Sequence, residues 1–530
     1  MITHSALLTH PQKSRGFFSP FTMTIEHLWL GLPVFVLLWK NFLFPLPVLD
    51  FWWHLKMGKV IATTGSIPNV DLFSFTAAGK PSVAQNWLAE LGYYGMYRLG
   101  DLPLVMLFNT LLVLAAFLPL YFLCLRAATS LRLGVAVGTL AALGVLGTVR
   151  PQTFSFLMFS LYYYVLVRYR SRGKDLLWAL PLLMVFWVNL HGAFVLGLSL
   201  ITLFIVSESL RRLIGGPGTD ALTVAEVRRL AVVLAMCALA TLVNPEGYKV
   251  YEYIRTVMAD GASQQLVAEW QPPQVNDPGG IVLFFGPFFL TLLAFVYARS
   301  KPDLTELTLF IGFGVFGLMA LRNGAWFCIV TYPLLARYSS DVGFQKLQPL
   351  RRIKFIDRAL GWLAEGSSRG PTYPRMNVLL ASLAIFVLVL QTPWVRPTAY
   401  KTSLIQQGTP IGATDFIEQH GLKGNIFHPQ IFGDYLIWRL WPEHKSFFDG
   451  RVHIFGLDFV RKYQLLYHDS HWEELLENWH VQYLLLSKSA GEKDSLELLE
   501  SARRSPNWKT LYEDNVSVLL EKTSSGVPAN

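Results

Sequence analysis

The chain of 530 residues is 52% apolar and only 15% charged. Its apolar residues fall in blocks of roughly 17 to 25, the length that crosses ~30 Å of hydrocarbon, so the composition excludes an ordinary soluble enzyme and reads as a polytopic membrane protein. The surplus of nine positive charges lies in short loops between blocks, which is the pattern of cytoplasmic anchoring and not of a nucleic-acid surface.

Taken in chain order, Lys13 and Arg15 precede the first apolar block without a small-residue cleavage pattern, so residues 1–26 read as a cytoplasmic tail ahead of an uncleaved helix. Spans are predicted near 27–48, 102–125, 132–149, 151–168, 176–190, 192–208, 229–243, 280–298, 304–320, 323–337 and 376–393, about eleven in a bundle covering 27–393. Basic residues cluster after alternate spans, at Arg126/Arg132, Arg168 to Lys174, Arg211 to Arg229, Arg299/Lys301 and along a basic segment, 338–375, which is expected to touch anionic lipid. A cytoplasmic N-terminus puts all of these clusters on one side, and an odd span count then puts residues 394–530 outside. Cys124, Cys237 and Cys328 sit inside apolar blocks and read as packing residues, not as a disulfide or thiolate set.

The first outer loop, 50–101, is too long and too apolar for a plain connection. Its 51–63 stretch predicts an interfacial helix lying on the membrane, 65–71 a turn and 83–99 a second juxtamembrane helix. From about Thr402 the composition becomes that of a small α/β domain, with strands predicted at 425–428, 446–448, 481–486 and 516–520 and helices at 413–420, 433–440 and 471–479. No internal repeat is visible, so the inverted-repeat signature of many transporters is missing.

The polar landmarks converge on the outer side: Asp50 and His54, Asp71, Trp87 and Glu90, Arg150, His191, Glu269 and Arg322. Asp50 is the candidate general base, because partial desolvation beside Trp52 and the bilayer raises a carboxyl toward the working range; its competing role is a helix cap. His54 lies one helical turn on, where it can tune that carboxylate, and Trp53 flanks the pair. Asp71 is the candidate second acid, or else a turn residue. Arg150 and Arg322 are candidates to hold a phosphate bidentately, or else they snorkel to headgroups. His191, Glu90 and Glu269 are candidate substrate contacts, against helix-junction packing and plain solvation. For Asp449 and Arg451, around Gly450, a local salt bridge is expected. No nucleotide fingerprint and no metal-ligand spacing appear, so no cofactor is expected and a divalent metal lacks support.

The runs Asp50-Phe51-Trp52-Trp53-His54-Leu55, Gly65-Ser66-Ile67-Pro68 with Asp71, Phe73-Ser74-Phe75-Thr76 and Trp87-Leu88-Ala89-Glu90 together resemble bacterial integral-membrane glycosyltransferases of the GT-C class, of the mannosyltransferase-like and aminoarabinose-transferase-like kinds. Trp187 to Gly192, Asn244-Pro245-Glu246-Gly247, Glu269 to Pro273 and Phe448-Asp449-Gly450-Arg451 extend the likeness along nearly the whole chain. The resemblance implies a helical bundle whose first outer loop carries a catalytic carboxylate, here Asp50. It also implies a polyprenyl-phosphate sugar as donor and transfer to an acceptor on the non-cytoplasmic face of the cytoplasmic membrane. Many members show two neighbouring acids where this chain has Asp50 alone, with Asp71 the next. The competing functions are a transporter or flippase of a lipid-linked saccharide, which intramembrane charges would favour, and a non-catalytic assembly or polysaccharide-binding component that works through its outer domain.

Overall fold

A computed structural model of the chain describes residues 23–144, 147–216, 219–342, 352–364, 373–468 and 471–523. The predicted cytoplasmic tail and much of the basic 338–375 segment lie outside the described residues.

The membrane-facing part is built from α1 (Ile25–Leu43), α2 (Phe51–Thr64), α3 (Trp87–Ala127), α4 (Leu131–Gly144), α5 (Gln152–Arg170), α6 (Ala179–Leu190), α7 (Val195–Gly215), α8 (Val224–Ala240), α9 (Lys249–Met258), α10 (Pro278–Tyr297), α11 (Leu304–Met319), α12 (Gly324–Ser340), α13 (Lys354–Ala364) and α14 (Pro374–Gln391). Four stretches are long and apolar enough to cross a membrane, Trp87–Ala127, Gly192–Gly215, Pro278–Tyr297 and Pro374–Gln391, which makes the chain a membrane protein. Each predicted apolar block coincides with a helix. Helix α3 joins the predicted juxtamembrane helix to the span after it, and its backbone leaves helical geometry at Gly100 and Asp101, where the two meet.

The first outer loop differs from expectation. Helix α2 buries Phe51, Trp52 and Leu55, the aromatic and aliphatic residues that the sequence assigns to a bilayer surface. One side packs on α3 so closely that a Cβ on Gly58 would stand 2.1 Å from the carbonyl oxygen of Glu90. The other side meets the C-terminal domain. The apolar and aromatic interleaving that suggests a bilayer interface is satisfied instead by a protein interface, because both surroundings reward the same pattern.

The C-terminal domain contains α15 (Ile411–Gln419), α16 (Gln430–Leu440), α17 (Leu457–His468) and α18 (Lys493–Arg504) around a four-stranded sheet. Its strands are β1 (Asn425–Phe427), β2 (Val481–Ser487), β3 (Trp508–Glu513) and β4 (Ser517–Lys522), in the order β1-β2-β4-β3, with β1 and β2 parallel and the other pairs antiparallel. Alternation along the strands gives the sheet two apolar faces: Phe427, Leu484, Val518 and Leu520 join one core, Ile426, Leu485 and Leu519 the other. The predicted strand at 446–448 is a correction. Ser446 makes only an isolated bridge to Ser74, exchanging backbone hydrogen bonds with Phe73 and Phe75 (2.8 and 3.1 Å), so this segment fastens the domain to the first outer loop. Strand β3 escapes sequence reading because only Trp508 in it is buried.

Candidate active site

Asp50 stands immediately before α2 with φ 67° and ψ −55°. Phe51 N–H donates to the Leu49 carbonyl at 2.9 Å, which closes a γ-turn of the rare, positive-φ hand around Asp50. A non-glycine residue in this region is strained by about 1 to 3 kcal/mol and persists only where its surroundings over-determine it.

The Asp50 carboxylate faces Arg150, which stands just before α5. Arg150 Nη1 lies 3.1 Å from Asp50 Oδ2 and 3.0 Å from Glu269 Oε1. Tyr93 of α3 fixes this position by donating its hydroxyl to the Arg150 carbonyl (2.9 Å). Glu269 arrives on a short 3-10 turn, Ala268–Trp270, and the backbone bond from Leu321 N–H to Gln271 O (2.8 Å) brings a second such turn, Leu321–Asn323, against it. Arg322 is thereby set over the Trp270 ring, 4.7 Å from its centroid, with Nη1 3.6 Å from Glu269 Oε1. Two guanidinium groups and two carboxylates thus meet, each about a quarter exposed (23, 30, 29 and 25% for Arg150, Asp50, Glu269 and Arg322). Arg150 Nε has no hydrogen-bond partner in the protein.

Burial raises the Asp50 carboxyl above its ordinary range, against the opposing pull of Arg150, while Glu269 adds to the rise. Burial acts the same way on Glu269, but Arg150 and Arg322 overrule it and hold that carboxylate low. The two acids are therefore shifted in opposite directions.

Behind Asp50 the imidazole of His54 lies 2.8 Å through Nδ1 from Glu90 Oε1, and the pair is buried between α2 and α3. Burial, with the fields of His191, Arg150 and Arg451, holds His54 well below its usual pKa, so it is a neutral ring. The ring of Trp53 is tilted against it, centroids 3.6 Å apart. His191 accepts the Ala193 N–H at Nδ1 (3.2 Å), with the Ser155 hydroxyl 2.9 Å from the same nitrogen, which leaves its ring proton on Nε2. Burial, with Arg322 and Arg150 nearby, pushes its pKa down to about 3.

The structure thus gathers Asp50, Arg150, Glu269 and Arg322 and sets His54, Glu90, Trp53 and His191 around them. Two predicted residues fall elsewhere. Trp87 donates to Asn189 Oδ1 (2.9 Å) and lines a separate cleft with Gln85 and Asn244. Asp71 is not an open second acid. Its carboxylate accepts the Phe73 and Ser74 N–H groups (3.2 and 3.1 Å) and the Ser74 hydroxyl, and it is buried against Arg451 Nη1 at 2.5 Å. Its neighbours occupy its acceptor positions. Arg451 also holds Asp449, at 2.7 Å through Nη2, so the expected local salt bridge is one arm of a three-residue buried clasp between the C-terminal domain and the loop 50–101.

The acid that approaches Asp50 is Asp434 of α16, whose Oδ2 accepts the Asp50 N–H. Sequence reading passes over it because one Asp in the first turns of a predicted helix is sufficiently explained by the helix dipole. The Gly433-Asp434-Tyr435 run carries no spacing signal toward a residue 384 positions away. Among the described residues, no group of three or more His, Cys, Asp or Glu side chains is arranged to hold a metal ion.

Solved structures share this architecture. The archaeal oligosaccharyltransferase AglB from Archaeoglobus fulgidus, determined with an inhibitory peptide and a dolichol-phosphate, superposes with a TM-score of 0.57 at 13% identity, covering 96% of this chain and 75% of its own. The fold is that of a GT-C-type glycosyltransferase. ArnT from Cupriavidus metallidurans in the apo state gives a TM-score of 0.49 at 13% identity, covering 94% of this chain and 98% of its own. The mycobacterial arabinofuranosyltransferase AftD gives 0.49 at 11%, covering 94% and 42%. No family model and no curated protein matches the chain by sequence.

Proposed function

We propose that this GT-C-type protein transfers one sugar from a polyprenyl-phosphate carrier to an acceptor outside the cytoplasmic membrane, with Asp50 as the general base. The observation that carries the reading is the meeting of the Asp50 carboxylate with two guanidinium groups in one partly open cluster. A small apolar crevice between α3, α5 and α12, with room for little more than a water molecule, is lined by Ala116, Leu120, Phe156, Ala325 and Ile329, and Phe156 and Ala325 lie within two turns of Arg150 and Arg322 in the chain. A lipid phosphate at the membrane surface would present its charge to the two arginines. Arg150, with Nε unpartnered and Nη1 shared between two carboxylates, is the better placed to take it.

In this reading the acceptor hydroxyl loses its proton to Asp50 as its oxygen bonds to the anomeric carbon, and the bond from that carbon to the phosphate oxygen breaks with its electron pair leaving on phosphate. Arg150 and Arg322 stabilise the charge that develops there. A single displacement inverts the anomeric configuration. His54, buried against Glu90, backs Asp50, and His191 offers its Nε2–H to a sugar hydroxyl. The helices are read as about eleven spans with the N-terminus cytoplasmic and residues 394–530 outside, which puts the site and the acceptor on the outer face.

The test is purified protein with labelled polyprenyl-phosphate sugar and a membrane extract, native against Asp50→Asn. Transfer that disappears in the folded variant supports the reading; transfer at the native rate overturns it. Donor that crosses vesicles with no new glycosidic bond would assign a flippase instead.

A further inference from the structure

The strained turn at Asp50 is held from a distance. Asp434 is completely buried, and its two oxygens accept two backbone N–H groups, that of Asp50 through Oδ2 and that of Gly450 through Oδ1 (2.8 Å). The first of these is the N–H that the positive-φ turn leaves pointing out of the start of α2, where an anion is also favoured by the helix dipole. The approach is possible because two glycines clear it. A Cβ on Gly433 would stand 2.2 Å from the Phe448 carbonyl oxygen, and one on Gly450 would stand 2.7 Å from Asp434 Oδ2 and 2.9 Å from Asp50 Oδ1. Around this contact α2 and α16 are pinned together: Trp52 meets Tyr435 edge to face at 5.0 Å, and Lys56 Nζ donates to the carbonyls of Trp438 and Trp441 (3.0 and 2.9 Å). The Arg451 clasp to Asp71 fastens the segment that carries Gly450 to the same outer loop.

Helix α16 turns Phe432, Leu436 and Leu440 into the domain's own core, whereas Tyr435 and the Asp434 carboxylate reach α2, and this second contact belongs to neither core of the sheet. It is needed to keep Asp50 in a conformation the chain would otherwise leave. We propose that Asp434 is a positioning residue for the transfer reaction: it holds the strained Asp50 turn so that the Asp50 carboxylate faces Arg150, and the active site is complete only when the C-terminal domain is docked on α2. This rests on the reading of Asp50 as the base.

The experiment uses the full-length protein and compares native, Asp434→Asn and Gly450→Ala. The asparagine keeps the shape and one acceptor but loses the second acceptor. The alanine keeps both carboxylates and displaces them with a methyl group. Each is measured for kcat and for donor KM with the labelled polyprenyl-phosphate sugar, and for amide hydrogen exchange over residues 46–56. The expected result is a kcat lower by about 10²-fold, the scale set by a displacement of about 1 Å in a reacting group. Donor KM stays within about threefold, because the arginines are untouched, and exchange quickens at Asp50 and Phe51 while the amides of α5 keep their protection. A native kcat in Asp434→Asn overturns the proposal, as does a lowered kcat with exchange over 46–56 unchanged. If Asp434→Asn loses protection throughout the chain, Gly450→Ala decides by the same two readouts. If the native protein transfers no sugar from such a donor, the functional reading fails on its own. Exchange over 46–56 then decides the positioning role alone, and unchanged exchange in both variants overturns it.

Discussion

Helix α5 connects two ion clusters of similar composition and different character. Arg150 stands just before its first turn in the cluster with Asp50, Glu269 and Arg322; Arg170 is its last residue and belongs to a second cluster with Glu208, Arg211 and Asp303. In the second cluster every acceptor position is used. Glu208 is buried and accepts from Arg170 Nε (2.6 Å), Arg211 Nη1 (2.9 Å), the Thr305 hydroxyl (2.7 Å) and the Leu222 N–H (3.0 Å), while Asp303 pairs with Arg170 and caps α11. The first cluster is open on one side, leaves Arg150 Nε without a partner and includes a strained backbone. The difference teaches that charge at a helix end does not by itself mark a functional site. A closed, fully satisfied network holds helices together, whereas one that keeps unused donors and stored strain is prepared for a ligand.

The contrast is open to direct test. The largest effect is expected for Asp50→Asn, which should lower transfer kcat by about 10³-fold or more, within the range of a lost general base, with no loss of thermal stability because it relieves burial of a charge. A melting temperature that falls with the activity would break the contrast by making Asp50 structural. Next, Glu208→Ala should destabilise the protein by about 3 to 5 kcal/mol, the cost of leaving buried cations uncompensated, while the fraction that stays folded transfers sugar at the native kcat. Thermal unfolding in detergent together with kcat per folded molecule measures both. A kcat effect without a stability effect would place chemistry at the wrong end of α5.

Much of this architecture is legible in the sequence. The apolar blocks locate their helices because hydrocarbon length and helix rise leave little freedom. Asp50, Arg150 and Arg322 are each recognisable as polar residues at the ends of apolar segments, and Glu269 as a polar residue in the loop between two of them, although nothing in their spacing says that they meet. What is not legible depends on contacts far apart in the chain. The burial of α2 is invisible because Trp52 and Trp53 suit a bilayer and a protein surface equally well. Asp71 looks like a spare acid until Arg451 is seen against it, and Asp434 looks like an ordinary first-turn aspartate until its partner, the Asp50 N–H, comes from another domain. Local pattern reports the environment a side chain prefers; it does not report which distant group supplies that environment.

Two smaller effects sharpen the comparison within the open cluster. Arg322→Lys keeps the charge but loses the planar fork and its stacking on Trp270, so donor KM should rise by about 10-fold with kcat changed less; a KM equal to the native value would leave Arg150 as the sole phosphate contact.

The smallest effect is a shift in pH dependence. A general base works only when deprotonated, and burial holds the Asp50 carboxyl above the ordinary carboxylate range, with Arg150 and Arg322 opposing and Glu269 reinforcing that rise. Transfer should therefore fall on acidification at a pH above ~4, where an unperturbed aspartate titrates. Glu269→Gln removes an anionic neighbour that raises Asp50 while Arg150 and Arg322 remain, so the acidic limb of kcat/KM should move to lower pH. A limb that stays in place would mean that the two carboxylates do not sense each other, and a limb that moves upward would mean that Glu269 acts mainly by holding the arginines against Asp50. In the closed cluster Glu208→Gln should leave the limb where it is, because no reacting group titrates there.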